Sequence, residues 1–286
     1  MTTFPATGPI RTDIQLVSGD ITLTASDRTD VVVSVQPRDE GRPADIAAAG
    51  SAVVEFLNSV LTVKTAKSWQ RMTGPNKRDG AVTVTIDLPS GSTLAASTGI
   101  GFIHAEGELA TTVAKSGIGD IRLDQVGNLS AKTGFGDILV DGITRDATVA
   151  TATGAIRLGS VDGNAKAKNA NGVFEIAECA QNLHLRTASG NINVGRAHAS
   201  VNAGSAAGNV QITQVESGSV TVKTGAGAID IGIREGAAAW LEVASKHGSV
   251  RNGLTRTDSP AQASSQVEVR ARTGVGDITI MRASAA

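Results

Sequence analysis

The chain has 286 residues and a formal net charge of −1, so it carries no global field that would draw in nucleic acid or an anionic membrane. Its one cysteine, Cys179, excludes an intramolecular disulfide and a thiolate-built metal site. An aromatic share of 2% leaves the core to Val, Ile, Leu and Ala, which suits a narrow interior of stacked, repeated side chains. In chain order, Met1–Val17 has Pro5 and Pro9 but no basic stretch followed by an apolar run. No signal peptide and no membrane-spanning segment is expected, and the expected compartment is the cytoplasm. Ile10–Val35 reads as two or three strands: Ile14, Leu16, Ile21 and Leu23 alternate with polar residues around a Ser18-Gly19-Asp20 turn, and Val31, Val33 and Val35 alternate again. Gln36–Ala49 reads as a loop, with a short helix expected near Pro43–Gly50. Val53–Val63 returns to strand. Ala66–Gly80, with Trp69, Met72, Gly74, Pro75 and the basic Lys67, Arg71, Lys77 and Arg78, reads as a long surface loop. Val82, Val84, Ile86 and Leu88 then alternate up to a turn at Pro89-Ser90-Gly91.

From Leu94 onward one unit repeats. Lys132–Val140, Lys-Thr-Gly-Phe-Gly-Asp-Ile-Leu-Val, returns as Lys115–Leu123 and as Arg272–Ile280. The glycine before the Asp-Ile pair marks each copy: Gly101, Gly119, Gly136, Gly154, Gly172, Gly190, Gly208, Gly227, Gly248 and Gly276. The spacing is about 18 residues until a polar loop, Ser245–Gln266, interrupts it. Two places after the marker stand Ile103, Ile121, Ile138, Ile156, Phe174, Ile192, Val210, Ile229, Val250 and Ile278. Four places after it the residues are again almost all aliphatic, with Asn252 the departure. Period-two spacing puts both columns on one sheet face. Five places before the marker runs a column of Ala, Val and Leu. Three before it runs a hydroxyl column, Thr98, Ser116, Thr133, Thr151, Thr187, Ser205, Thr224, Ser245 and Thr273, with Asn169 the one substitute.

Each unit is therefore strand, glycine turn, strand, turn. The expected fold is all-β: a single-chain parallel β-solenoid of about nine or ten rungs, spaced about 4.8 Å apart. No rung can bury its apolar columns alone, so the ends need covers. Residues 1–91 are expected to form an N-terminal β cap and residues 92–286 the repeat region, with Trp240 and the Ser245–Gln266 loop helping to close the far end. Hexapeptide β-helices and calcium-binding nonapeptide repeats do not fit this spacing.

The alternating Val82–Leu88 strand ending in Pro89, followed by repeated Thr-Gly-x-Gly-Asp-Ile units, resembles the bacterial putative-adhesin β-strand-repeat family, also called toastrack domains. The resemblance runs from about Ile10 to Ile280. It implies a single-chain β-solenoid. Several members are attached to membrane proteins of envelope-stress sensing systems, which implies a binding or scaffolding role at the envelope. This chain resembles the free-standing type, for which the family supplies no site residues to carry over.

Two outward columns are the candidates for chemistry. On the strand after the marker, Asp120, Arg122 and Asp124 stand on one rung, and Asp137 and Asp141 on the next. Stacked carboxylates suit a divalent cation or a glycosidase-like acid pair. The competing reading is that these are solvated positions and that Asp after Gly fits the turn. Four places before the marker, Lys115, Lys132, Lys168, Arg186, Lys223 and Arg272 form a broken basic column. It either grips an anionic polymer or pairs with the Asp column across the turn. His104, His184, His198 and His247 lack metal-ligand spacing, and Cys179 shares an apolar column with Val126, Ile143, Val161 and Val215. No P-loop and no nucleophile elbow is present. The expectation is a non-enzymatic binding or scaffolding protein with an unknown protein or glycan partner and no cofactor, metal, nucleic acid or membrane insertion. The alternative is a carbohydrate-active, or cation- or glycan-binding, β-helix using the acidic face.

Overall fold

The structure, a computed structural model, describes residues 1–65, 80–254 and 265–283. The expected loop at 66–79, and residues 255–264 of the other expected loop, lie outside the described residues. The chain forms two compact units, Met1–Asp141 and Gly142–Ala286. Both are built from the rung read in the sequence, and the fold is a parallel β-solenoid.

In the first unit the strand Arg11–Ser26 is already a complete rung, bent at Gly19. One edge pairs in parallel with Ser92–Ile100 and Ile103–Ile118, with Ile14 beside Ala96 and Ile21 beside Ile103. The other pairs in parallel with Val60–Lys64 and Val82–Pro89, with Ile14 beside Val63 and Ile21 beside Val84. Arg11–Ser26 is thus flanked by parallel rungs on both edges, and Gly19 is a further marker. Two strands run against this grain: Asp30–Pro37 lies antiparallel on Val82–Pro89 and Val53–Leu57 on Val60–Lys64; Thr2–Pro5, antiparallel on Asp30–Pro37, runs with it again. The short helix forms at Pro43–Gly50. Its buried Asp45 accepts the Ala81 amide at 3.0 Å and pairs with Arg42 at 3.3 Å.

In the second unit, rungs from Ala147–Val161 to Gly218–Ile233 stack in parallel, in register except for a shift between Ile212 and Val215. Then chain order and stack order part. Ser265–Val275 lies between Gly218–Ala226 and Ala237–His247, and Ile278–Arg282 between Ile229–Ile233 and Val250–Asn252. The last rung in sequence is inserted beneath the one before it. The expected Ser245–Gln266 loop is correspondingly narrower, because Ser245–His247, Val250–Asn252 and Ser265–Gln266 are strand.

The marker must be glycine for two reasons. Its φ runs from +137° at Gly276 to +157° at Gly248, a region that side chains disfavour. A Cβ there would also overlap the carbonyl oxygen of the neighbouring rung's marker, as at Gly190 against Gly172. Among the described residues, no helix is long and apolar enough to cross a membrane.

Candidate functional site

Most of the hydroxyl column bonds from rung to rung, to the marker carbonyl rather than to other hydroxyls; Thr187 donates instead to the Ser189 carbonyl of its own rung, at 3.2 Å. In the first unit Thr98, Ser116 and Thr133 donate to the carbonyls of Gly19, Gly101 and Gly119, each at 3.0 Å. In the second, Thr224 donates to Gly208 at 3.0 Å and Thr273 to Gly227 at 2.9 Å. Asn169 fills the gap in the column by donating its amide to Gly154 at 2.7 Å. These side chains are buried. They satisfy a carbonyl that the turn would otherwise leave unpaired.

The acidic column is largely occupied in the same way. Asp120 Oδ1 accepts the Asp137 amide at 2.9 Å. The residue after the marker does this job in other rungs: Asp20 accepts from Phe102 at 3.1 Å, Asn191 from Asn209 at 2.9 Å, and Asp277 from Ser249 at 2.8 Å. The Ser249 amide holds the Asp277 carboxyl below its usual range. Asp124 Oδ2 accepts the Gly107 amide at 3.0 Å. Asp120 and Asp137 are therefore brought together at one turn. Arg122 stands 3.6 Å from Asp120, both exposed. Asp141 is exposed on its strand.

The basic column does not pair across the turn. Lys115 and Lys132 stack in register and are exposed. Among the described residues no carboxylate lies within ion-pair distance of Lys115, Lys132, Lys168, Arg186 or Lys223; Arg272 alone in the column pairs, with Glu242. The ion pairs gather elsewhere. On the strands after the marker, Arg157 meets Glu175 at 2.5 Å and Arg196 meets Glu178 at 3.0 Å. His198 sits between Glu178, at 2.6 Å, and Glu216, at 2.9 Å, and Arg234 reaches Glu216 at 3.2 Å. The bonds to Glu178 and Glu216 raise the His198 pKa against the opposing effect of burial, and the bond to His198 lowers that of Glu178.

Cys179 is fully buried, and burial pushes its thiol up, so it stays protonated. Among the described residues, no three His, Cys, Asp or Glu side chains are grouped to hold a metal ion. Two surface features escaped the sequence reading. One is the Glu178–His198–Glu216 clamp, built from columns that vary between rungs. The other is an exposed apolar ridge at the corner of the first unit: Ile100, Ile118 and Phe135 stack in register beside Phe102. Reading the column one place before the marker would have found it.

These features define a parallel β-solenoid whose inward files make the core and whose turn side chains lace rung to rung. The chain belongs to the toastrack family: the family model described as Toastrack DUF4097 matches residues 10–217 and 178–284. Solved structures similar to it include a putative adhesin from Bacteroides fragilis, at 16% identity over 98% of this chain and 95% of that one, TM-score 0.38. Another is a putative adhesin from Parabacteroides merdae, at 12% identity over 98% and 95%, TM-score 0.34. A third is a putative lipid binding protein from Parabacteroides distasonis, at 13% identity over 98% and 96%, TM-score 0.27. A comparison with curated proteins finds no match.

Proposed function

We propose that this chain is a non-enzymatic binding or scaffolding module that presents flat outer sheet faces to a protein or glycan partner. One observation carries the reading: the polar groups that recur at the turns are spent on holding the coil together. Asp120 and Asp124, which an acid-pair mechanism would need, each accept a backbone amide from another rung. What stays available is the outward face of the strands. In the first unit the strands before the marker offer Lys115 and Lys132, and those after it Arg122 and Asp141. The carbohydrate-active reading finds no observation in its favour.

The test is to incubate the purified chain with a glycan panel and with immobilised envelope proteins, following binding by interferometry and products by mass spectrometry. Saturable binding with no new product is expected. A cleaved or transformed glycan, formed by the parent and not by Asp120→Asn, would overturn the proposal.

A further inference from the structure

The face before the marker in the second unit gathers basic side chains from adjacent rungs. Lys166 lies beside His184 and Lys168 beside Arg186, in register on adjacent parallel rungs. Their Cα atoms are about 4.8 Å apart between rungs and roughly 7 Å apart along each strand. All four side chains point outward, since the alternate residues Ala165, Ala167, Leu183 and Leu185 are buried. No Asp or Glu stands on these two strands, nor on the flanking Ala147–Thr153 and Val201–Ala207. Among the described residues no carboxylate is within ion-pair distance of Lys166, Lys168 or Arg186, whereas on the strands after the marker Arg157 and Arg196 are paired.

The field of these cations is felt inside the cluster. Burial first, then Arg186, Lys166 and Lys168, hold the His184 pKa below its usual value. Arg186 Nε donates to His184 Nε2 at 3.1 Å, which makes that nitrogen the acceptor of a neutral ring. The bond fixes the guanidinium beside Lys168 and leaves its terminal nitrogens for a ligand. The neighbourhood is low. In the next rungs the line continues through Gly204 to Lys223. A side chain at Gly204 would meet nothing nearer than 3.9 Å, so the face is open there. A chain laid across the rungs would meet Lys168, Arg186 and, about 10 Å further on, Lys223.

We infer that this face binds an anionic glycan, a polysaccharide whose carboxylate, sulfate or phosphate groups are taken by Lys166, Lys168, Arg186 and Lys223. The charges call for a polyanion. Thr148, Asn202 and Thr221, outward on the same face, offer hydroxyl and amide groups suited to sugar hydroxyls. The face has no Phe, Tyr or Trp on which a nucleic-acid base would stack. It has no outward apolar side chain larger than alanine to enter a bilayer. The inference rests on the binding function proposed above and names the ligand class for a different face.

The test uses the full chain with heparin and polygalacturonate as anionic glycans, neutral dextran as control, and a single-stranded oligonucleotide and phosphatidylserine vesicles as competitors. Saturable binding to an anionic glycan is expected, weakening as salt rises, with none to dextran. Lys168→Gln with Arg186→Gln is expected to weaken it by about tenfold. Arg145→Gln with Arg251→Gln removes the same net charge from the same unit and should leave the affinity unchanged. An equal loss in both doubles, or equal affinity for oligonucleotide or vesicles, would overturn the inference. So would the absence of anionic-glycan binding, while a protein partner captured in the same state would leave the proposed function standing. Unchanged melting temperatures would show that each double variant is folded.

Discussion

Ile229 and Val250 occupy the same step of the repeat, two places after a marker glycine. Ile229 lies between Val210 and Ile278 and is fully buried; among the described residues Val250 pairs only with Ile278 and is 44% exposed. The other inward files show the same contrast. Val269 and Ala271 are buried, while Leu241 and Val243, beside them in the end rung, are only half-buried. An inward position is therefore a property of two rungs, not of one. A rung supplies half of each contact, and its stability is a sum over neighbours.

The sharpest way to break this contrast is to put a charge at both positions. Ile229→Asp places a carboxylate between two rungs with no partner, and a loss of about 3–5 kcal/mol is expected in chemical denaturation. Val250→Asp, at the open edge, should change stability by only about 0.5 kcal/mol. Equal losses would mean that the end rung is covered as fully as the interior.

The marker glycine offers a smaller version of the same experiment. At Gly190 a Cβ would strike the Gly172 carbonyl, and the turn is pinned from the other side by Gly190's amide, which donates to the Ala207 carbonyl at 2.9 Å. Gly190→Ala should cost about 1–3 kcal/mol in strain. Gly248→Ala meets the same clash against Gly276, but its turn lies in the end rung and can lift away. Its cost should be less than half as large. If the two alanine variants melt alike, the strain is local to the turn and neighbours play no part.

The same logic separates what was legible in the sequence from what was not. Columns that every rung repeats could be read directly: the buried Ile156–Phe174–Ile192 file, the marker glycines, even Asn169 as a substitute in the hydroxyl column. Each rests on a step made alike in many copies. The inserted last rung could not be read, because Ala237–His247 and Ser265–Val275 carry the same code, and nothing in either says which sits next to Gly218–Ala226. Gly19 was read as a turn but not as a marker, because the segment Thr29–Gly91 separates it from the next copy. The acidic column was read for its charge. That its first oxygen serves an amide one rung away depends on where the next turn falls, which the stack alone decides.

The smallest contrast is electrostatic. The interior rungs carry a histidine clamp; in the end rung, among the described residues, Glu242 pairs with Arg270 and Arg272 instead. His198 bridges Glu178 and Glu216 from rungs on either side, with Arg196 on Glu178 and Arg234 on Glu216; Gln214 donates to the second oxygen of Glu216 at 3.3 Å, and Ser265 to its backbone carbonyl at 2.7 Å. A protonated ring donates to both carboxylates. Because the folded pKa of His198 is raised, its contribution is full below the unfolded value of about 6.5 and is lost as pH rises through the folded value. Glu178 is depressed, so its contribution is present above its ordinary value of 4.5 and is lost as pH falls through the folded one. The clamp therefore holds best between about pH 4.5 and 6.5. All three side chains are partly exposed, so solvent screening keeps the effect under about 1 kcal/mol. His198→Gln should flatten the decline of stability from about pH 6 to 8, measured by denaturation at fixed ionic strength. A decline that survives His198→Gln would assign it to another group.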